Sequence, residues 1–310
     1  MPIQSSNWGE LVVPGLSEAF LVGVGRRPSL IDQIYDVRGS DRANEQHLGV
    51  GNIGSDGWAD FEKTGRVNQA DFARGYKWTT THAEFARSMQ VQRKLVDDNQ
   101  FGELFDQARQ LGDSAFRFRE KAGAAVFNNA FTASGTDAYG FAIAGPDAVA
   151  LCSASHPRNP DDSSTVDSNT SNTTLTAANV STIRRNMMGF KDDTGDILNV
   201  MPDAIIVPPE LEDTALQIVR SQLDPASANN AINPQAGRFS VIVWHYLTSA
   251  TNWFMVDSAR MSDSLIWYDR VPLEFTPQGL NAEVMQFSMV AYMRFSRGFR
   301  DWRWIYGAGA

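Results

Sequence analysis

The sequence predicts an α+β fold in which one unusually long helix accompanies strands that lie far apart in the chain. Apolar residues recur at spacings of three and four over residues 97–130, which is the periodicity of a single helical face. Strict alternation of apolar and polar residues over 285–295 is typical of a long, half-buried strand. A helix of about 30 residues is roughly 45 Å long, so we expect an elongated molecule.

The composition is that of a folded protein with an acidic surface. Of the 310 residues, 43% are hydrophobic and 20% are charged, and the net charge is −9. This balance argues against a dedicated nucleic-acid-binding protein, which usually carries a basic face. The single cysteine, Cys152, excludes an intramolecular disulfide and a CxxC metal cluster. The longest apolar run near the start, residues 11–24, is broken by Pro14 and Glu18, so we expect a soluble, unexported protein without a membrane partner.

The first element is an N-terminal segment without regular structure. Residues 1–40 show no sustained period, and prolines and glycines interrupt their short apolar pieces. Two interpretations stay open. The segment is either a loosely structured terminus that packs partly on the body, or an arm that lies on a neighbouring subunit.

A long β-hairpin is predicted next. Residues 41–70 are rich in glycine and polar groups, with isolated large side chains at Trp58 and Phe61. Residues 76–80 alternate as in a half-exposed strand, and the apolar parity then changes near residues 82–84, where we predict a bulge or bend. Such a hairpin is only marginally stable alone, so it needs a surface to lie on, and a partner subunit is the natural candidate.

The long helix is predicted over residues 97–131. Three residues offer side-chain oxygens for its N-cap: Asp97, Asp98 and Asn99. Three glycines lie inside it: Gly102, Gly112 and Gly123. Each weakens the helix by about 1 kcal/mol relative to alanine, and each would permit a bend or a close contact.

Shorter elements complete the chain. Residues 148–152 predict an apolar strand, whereas residues 158–174 contain almost no apolar side chain and predict a mobile loop. The remaining predictions are a helix over 176–188 with Thr176 as N-cap, a buried strand over 204–207, a helix that starts at Pro208–Pro209, a loop over 229–237, and strands over 239–247 and 253–256.

Few patterns indicate chemistry. Cys152 and His156 lie close in sequence and suggest a Cys/His hydrolase as one alternative, but a buried cysteine beside a His–Pro turn is the simpler interpretation. Residues 192–196 lack the EF-hand spacing and its closing glutamate, so they predict a turn. The four histidines are scattered, which disfavours zinc. We therefore expect no catalytic, cofactor-binding or metal-ligating residue.

One basic cluster stands out, in which arginines and aromatic residues interleave over 294–304. Such a segment suits single-stranded nucleic acid, through stacking and charge. Arginine and tryptophan are also enriched at protein interfaces, and the strand over 285–295 leads into the cluster. We favour an interface and keep the nucleic-acid binder as an alternative.

Four short segments, taken in their order, resemble a known family. They are LCSASHP at 151–157, PDAIIVPPE at 202–210, NNAINP at 229–234 and RFSRGFRDWRWIY at 294–306. With them, nearly the whole chain resembles the tailed-phage major capsid proteins of the Hong Kong 97 type fold, in particular the Mu-like major head subunit group. The predicted order of arm, hairpin, long helix, α/β region and final long strand matches the layout of that fold.

The resemblance implies a domain organisation. It comprises an N-terminal arm at 1–38, an extended loop at 39–93, a peripheral domain at 94–161 and 276–310 that includes the spine helix at 97–131, and an axial domain at 162–275. Nine residues of the extended loop and the C-terminal cluster are the candidate inter-subunit contacts: Trp58, Phe61, Lys63, Arg66, Tyr76, Trp78, Arg300, Trp302 and Trp304.

The resemblance also implies a structural function and no enzymatic one. The family forms hexamers and pentamers that tile an icosahedral shell around double-stranded DNA, in a virion or a prophage-derived particle. A scaffolding protein, a portal and a possible decoration protein are the implied partners, with assembly in the cytoplasm of the host bacterium. An encapsulin-like protein compartment uses the same fold and is the alternative.

Two features of the family bear on maturation. Many members carry a scaffolding segment at the N-terminus, whereas this sequence shows no charged helical extension before the arm, so we expect a separate scaffolding protein. Some relatives cross-link subunits between lysine and asparagine. Lys63 and Lys77 lie in the extended loop, but no catalytic glutamate can be assigned, so we expect no cross-link.

Overall fold

The computed structural model describes residues 8–51, 58, 60–67, 69, 74–98, 100–223, 232–281 and 283–309. The helices are α1 (Trp8–Val24), α2 (Ile31–Ile34), α3 (Phe61–Thr64), α4 (Arg93–Asp97), α5 (Phe101–Asn128), α6 (Ala177–Met188), α7 (Glu212–Arg220) and α8 (Ser258–Ser264). The strands are β1 (Asp36–Gly39), β2 (Asn44–Val50), β3 (Arg74–Thr81), β4 (Ala83–Gln92), β5 (His156–Asn159), β6 (Asp162–Asp167), β7 (Thr170–Ser171), β8 (Ala204–Val207), β9 (Ser240–Val243), β10 (Trp253–Val256), β11 (Leu265–Asn281), β12 (Gln286–Phe299) and β13 (Ile305–Ala308). This mixture confirms the predicted α+β class.

The predicted long helix is confirmed as α5, although its N-terminus differs. Leu104, Ala108 and Leu111 on its apolar stripe are buried in the core, as the periodicity requires. Gln100 occupies the N-cap position without a side-chain hydrogen bond. The capping prediction is therefore wrong, because the chain first forms the separate helix α4. Of the three predicted caps, Asp97 belongs to α4, Asp98 to the turn after it, and Asn99 lies outside the described residues.

Helix α1 corrects the prediction of an irregular N-terminal segment. Its 17 residues include Pro14, and its apolar residues are too continuous to show one clear face. Leu16 and Phe20 are nonetheless fully buried against the body. The helix forms here because tertiary packing stabilises it more than local propensity does.

Two glycines allow α1 and α5 to cross with their backbones in contact. A Cβ atom on Gly23 would lie 2.1 Å from the carbonyl oxygen of Arg109, and one on Gly112 would lie 2.2 Å from that of Phe20. No side chain fits at either position without moving a helix. The glycine inside α5 that weakens the isolated helix is therefore required for its main helix–helix contact.

The first sheet has four strands in the order β1-β11-β12-β4. Strand β12 confirms the predicted alternation, because every second residue from Phe287 to Phe295 is buried while the residues that alternate with them are half-buried. Strand β11 was not predicted. Its pairing with β12 shifts register at several points, and Pro272 lies at one of them. Prolines and bulges of this kind destroy the period-two signal.

The second sheet has five strands in the order β7-β13-β10-β8-β9. Its helices largely follow the predictions. Thr176 caps α6 by accepting a hydrogen bond from the backbone N–H of Asn179, and β8 is entirely buried. A 3-10 turn over Pro209–Leu211 leads into α7. Strand β9 covers only part of the strand predicted over 239–247, because the chain turns after Val243.

The sheets cut across two of the implied domain boundaries. Strand β11 runs through the boundary at 275/276 without a break, and β13 joins the five-stranded sheet by pairing with β10. Strand β4, inside the range of the extended loop, pairs with β12 in the four-stranded sheet. From here on the name extended loop is used for the hairpin of β2 and β3, which the bend at His82 separates from β4.

Two predictions between residues 148 and 174 are wrong. Residues 150–152 are buried, but the segment 148–152 is irregular, because Ala148 adopts a φ of 62° and interrupts any strand. Residues 158–174 are ordered as the hairpin β5–β6 and strand β7. Two hydrogen bonds from the guanidinium of Arg158 to the carboxylate of Asp167, at 2.9 and 2.8 Å, brace that hairpin. The sequence did not predict these contacts, because the segment contains almost no apolar residues and its order depends on polar pairs. Part of the loop predicted over 229–237 lies outside the described residues.

Candidate interaction surfaces

The structure does not bring Cys152 and His156 together as a catalytic pair. Burial raises the pKa of the Cys152 thiol, although a hydrogen bond with the backbone of Gly307 partly opposes this effect. The two ring nitrogens of His156 contact Asp147 and Asn169 instead of the sulfur. A thiol that stays protonated without a neighbouring base is a poor nucleophile, so the hydrolase alternative finds no support.

The thiol gives a direct test. Native protein at pH 8 is expected to react with a thiol-specific reagent at least about tenfold more slowly than the same chain unfolded in guanidinium, because ionisation controls the reaction and the raised pKa keeps the buried thiol protonated. Absorbance at the reagent's wavelength gives both rates. A native rate equal to the unfolded rate would contradict the buried placement of Cys152.

Metal sites and membrane spans find no support either. Among the described residues, no group of three or more His, Cys, Asp or Glu side chains is placed to hold a metal ion. The run at 192–196 forms the predicted turn, in which the carboxylate of Asp192 accepts hydrogen bonds from the backbone of Thr194 and Asp196. None of the helices in the described part of the chain combines the length and apolar character that a bilayer crossing requires.

The C-terminal basic cluster is used inside the subunit. Its arginines each have an intramolecular partner: Arg294 with Glu84, Arg297 with Asp137, Arg300 with the backbone oxygen of Asp263, and Arg303 with Asp193. Single-strand binding needs open aromatic faces and unpaired cations together. The nucleic-acid alternative for this segment is therefore not supported.

Three of the nine candidate contacts are buried within the subunit. The ring of Trp302 stacks on His156 with centroids 4.3 Å apart, and Trp304 is 1% exposed in the main core. Trp78 packs with Ile266 and Tyr268 in a smaller cluster under the extended loop. The side chains of Trp78, Trp302 and Trp304 fill this subunit's own interior, and their contact with a neighbour stays a prediction.

Two further candidates have intramolecular roles and are partly exposed. The hydroxyl of Tyr76 donates to the carbonyl oxygen of Pro157 at 3.1 Å, which links the extended loop to the hairpin β5–β6. Arg300 is half-buried and donates to the carbonyl oxygen of Asp263. Their contact with a neighbour stays a prediction.

The other four candidates lie on one exposed surface, which we call the loop tip (residues 58 and 60–67). The side chain of Trp58 is 93% exposed and that of Phe61 is 61% exposed, and Lys63 and Arg66 are exposed beside them. Val67, which the sequence analysis did not single out, adds a third apolar side chain at 78% exposure.

The loop tip has local order of its own. The carboxylate of Asp60 accepts a hydrogen bond from the N–H of Glu62 and thereby caps α3. Its other oxygen lies 3.2 Å from the amino group of Lys63. Gly65 ends the helix in the left-handed conformation, with a φ of 59°. Phe61 is therefore presented on a formed turn of helix, and Trp58 precedes it.

At its base the extended loop is anchored to the body. His47 lies between Trp78 and Tyr268, and its Nε2 atom is 2.5 Å from the Tyr268 hydroxyl. Burial, reinforced by Arg300, lowers the pKa of His47. Burial and the nearby Arg294 do the same for His82 at the bend. Both rings are thus held neutral at neutral pH.

Other exposed apolar side chains lie outside the loop tip. Those that are more than half exposed are Ile232, Leu48, Ile197, Leu21, Met201, Val22 and Val284. Single exposed apolar residues are common and need no partner. The loop tip differs because two large aromatic rings and a valine, all largely exposed, lie within one short stretch of the chain.

The comparisons with known proteins agree with this picture. The sequence pattern of the family described as phage capsid protein matches residues 77–308. The procapsid subunit of bacteriophage JBD30 is 14% identical, with a TM-score of 0.53, and the match covers 99% of this chain and 76% of that one. No curated protein matches this chain.

Two further structures show the same fold in other sources. A chain of the structure described as Microbacterium phage Oxtober96 is 11% identical, with a TM-score of 0.56 and 91% of each chain covered. A virus-like particle from Pyrococcus furiosus is 11% identical, with a TM-score of 0.53, and the match covers 95% of this chain and 98% of that one. At such low identity these matches establish the fold alone.

Proposed function

Because the chain belongs to the phage capsid protein family, we propose that this major capsid protein assembles as hexamers and pentamers into an icosahedral shell around double-stranded DNA. The virion capsid is then its place of action. Its fold is the Hong Kong 97-like α+β fold that the matched capsid subunits share.

The exposed loop tip is the observation that supports self-assembly most directly. Covering a large apolar side chain contributes about 1.5–3 kcal/mol, so Trp58 and Phe61 together supply a useful part of one contact. Each subunit of a shell gives and receives such contacts several times, and modest contacts made together become strong. A second copy of this chain is therefore the partner that we assign to the loop tip.

The exposure of the loop tip also supports separate roles for the body of the subunit and for the β2–β3 hairpin. We propose that the two packed sheets and α5 form the body, and that the β2–β3 hairpin extends from it toward a neighbour. The implied domains at 94–161 with 276–310 and at 162–275 keep their approximate extents in this proposal, with β11 shared across the boundary.

The charge of the chain suits a wall that encloses DNA without binding its sequence. Affinity for phosphate grows with each lysine or arginine that contacts it, and the net charge of −9 offers no general attraction. We propose that DNA is enclosed non-specifically, that a separate scaffolding protein, a portal and a decoration protein are the further partners, and that assembly takes place in the host cytoplasm. The chain belongs to a family of structural proteins, and we propose that it has no catalytic role.

Electron microscopy of the purified chain after size exclusion tests the proposal. We expect closed shells, rings of five or six subunits, or tubes, from the chain alone or after co-expression with the scaffolding protein. A chain that stays monomeric under both conditions would overturn the proposal.

The contents of the particles separate the two shell functions. A virus-like particle has the same fold, so the fold alone does not distinguish a phage head from an encapsulin-like compartment. The match to the phage capsid family favours a phage head. Nuclease-protected DNA in particles from producing cells is the expected result. Particles that hold a protein cargo and no DNA would favour the encapsulin-like alternative.

A further inference from the structure

The fully buried side chain of His156 joins three separate parts of the chain. Its Nδ1 atom lies 2.6 Å from a carboxylate oxygen of Asp147, in a turn between α5 and β5. Its Nε2 atom lies 3.1 Å from the Oδ1 atom of Asn169, just before β7. Its ring stacks on Trp302 near the C-terminus, with an angle of 14° between the planes. The proposed assembly surface does not use any of these contacts.

The side-chain amide of Asn169 has one possible orientation. Its Nδ2 atom lies 2.8 Å from the carbonyl oxygen of Leu151 and 3.2 Å from that of Ile305, and both atoms need a donor. Its Oδ1 atom lies 2.8 Å from the backbone N–H of Ser153, which needs an acceptor. Flipping the amide would break all three bonds. Oδ1 is therefore an acceptor, and the Nε2 atom of His156 must carry a hydrogen to bond it.

The other ring nitrogen faces a second acceptor. An ionised carboxylate only accepts hydrogen bonds, so a neutral ring with its hydrogen on Nε2 would aim a lone pair at Asp147. From this double constraint we infer that His156 is held as an imidazolium that donates from both ring nitrogens, and that the buried His156–Asp147 pair is a pH-sensitive lock between the C-terminal core and the base of the extended loop.

Asp147 is the charged group in direct contact with the ring. The charges on the other elements around it are paired with one another: Arg158 of β5 with Asp167 of β6, and Arg303 of the C-terminal turn with Asp193 and Asp301. From β3, the hydroxyl of Tyr76 donates to the backbone of Pro157, and burial raises the pKa of that hydroxyl with a further contribution from Asp147. The proton on Nδ1 thus neutralises one buried carboxylate.

The lock reaches the extended loop through the next residue. Pro157 follows His156 and accepts the hydrogen bond from Tyr76 of β3, so movement of the ring moves the loop's anchor. Loss of the ring proton would leave a buried carboxylate against a lone pair, a costly arrangement that the fixed amide of Asn169 cannot relieve. Because the pair needs the proton on Nδ1, its stabilisation is lost when a rising pH removes that proton. Its consequence for shells rests on the proposed function.

Nitrogen-15 NMR of the full chain labelled at histidine tests the protonation state. The chain has four histidines, and replacing each of the other three, His47, His82 and His245, with glutamine identifies the His156 signals by elimination. We expect both ring nitrogens of His156 to be protonated at pH 7. One bare nitrogen would overturn the lock. This readout needs no assembled shell, so it stands even where the proposed function fails.

The pH dependence of assembly tests the consequence. The native chain is expected to give several-fold fewer shells at pH 9 than at pH 7. Asp147→Asn removes the charge and is expected to abolish most of that dependence, whereas Asp106→Asn, on an exposed ion pair, is expected to leave it unchanged. A native yield that varies with pH no more than that of Asp147→Asn would overturn the lock.

Discussion

A chain in which Trp58 and Phe61 are both replaced by serine is expected to fold normally and to form no closed shells. Both side chains are largely exposed in the subunit, so their loss is expected to change the free energy of unfolding by no more than about 0.5 kcal/mol. The substitution removes most of the apolar surface that the loop tip offers to a neighbour. Counting particles by electron microscopy at equal protein concentration gives the result.

Conservative replacements in the loop tip provide the control. Trp58→Phe and Phe61→Tyr keep large aromatic surfaces in place, and Asp60 still caps α3, so shells are expected to form. Urea unfolding of each unassembled variant verifies that the body is intact. Shell formation by the double serine variant at the native level would show that the loop tip does not make an essential contact.

Asp137→Ala is expected to destabilise the unassembled subunit by about 3–5 kcal/mol, the largest effect on stability that we predict for one substitution. The carboxylate of Asp137 pairs with the guanidinium of Arg297, and the two side chains are 4% and 2% exposed. It also accepts hydrogen bonds from the backbone of Tyr139 and Phe141. Without it a buried positive charge loses its partner, which is much costlier than the loss of an exposed pair.

Two comparisons isolate the cause of that loss. Asp106→Ala removes an exposed partner of Arg109 and is expected to cost less than about 1 kcal/mol. Combining Asp137→Ala with Arg297→Met removes both charges and is expected to recover part of the stability, because a well-packed apolar side chain replaces an orphaned ion. Urea unfolding midpoints and slopes give all of these values. An Asp137→Ala variant within about 1 kcal/mol of the native chain would contradict the assignment.

The Asp137→Ala variant also distinguishes two roles of the C-terminal cluster, stabilisation of the subunit and contact with a neighbour. Arg297 is equivalent to its neighbours in the sequence, where arginines and aromatic residues interleave. In the structure it stabilises the subunit by an ion pair that spans 160 residues. We therefore expect variants of this cluster to lose subunit stability together with shell formation, whereas loop-tip variants lose shell formation alone.

Elements whose signal is local can be predicted from the sequence alone, and their order was enough for the family resemblance. Helix α5 and strand β12 follow from the periodicity of their apolar residues. Thr176 predicts the start of α6, because an N-cap bonds a backbone N–H only three residues further on. The loop tip was recognisable as well, because Trp58 and Phe61 stand alone among glycine and polar residues where no core can form around them.

The exposure of a side chain and its dependence on distant partners follow from the folded structure and cannot be predicted from local sequence. Trp78, Trp302 and Trp304 carry the same interface signal as Trp58, yet each is enclosed by residues far along the chain. Helix α1 forms across Pro14 because Gly23 meets α5 at backbone distance, and β11 persists through bulges because β12 pairs with it. Burial by distant segments and pairing with them produce no periodic pattern in the sequence, because they depend on which remote parts of the chain the fold brings together.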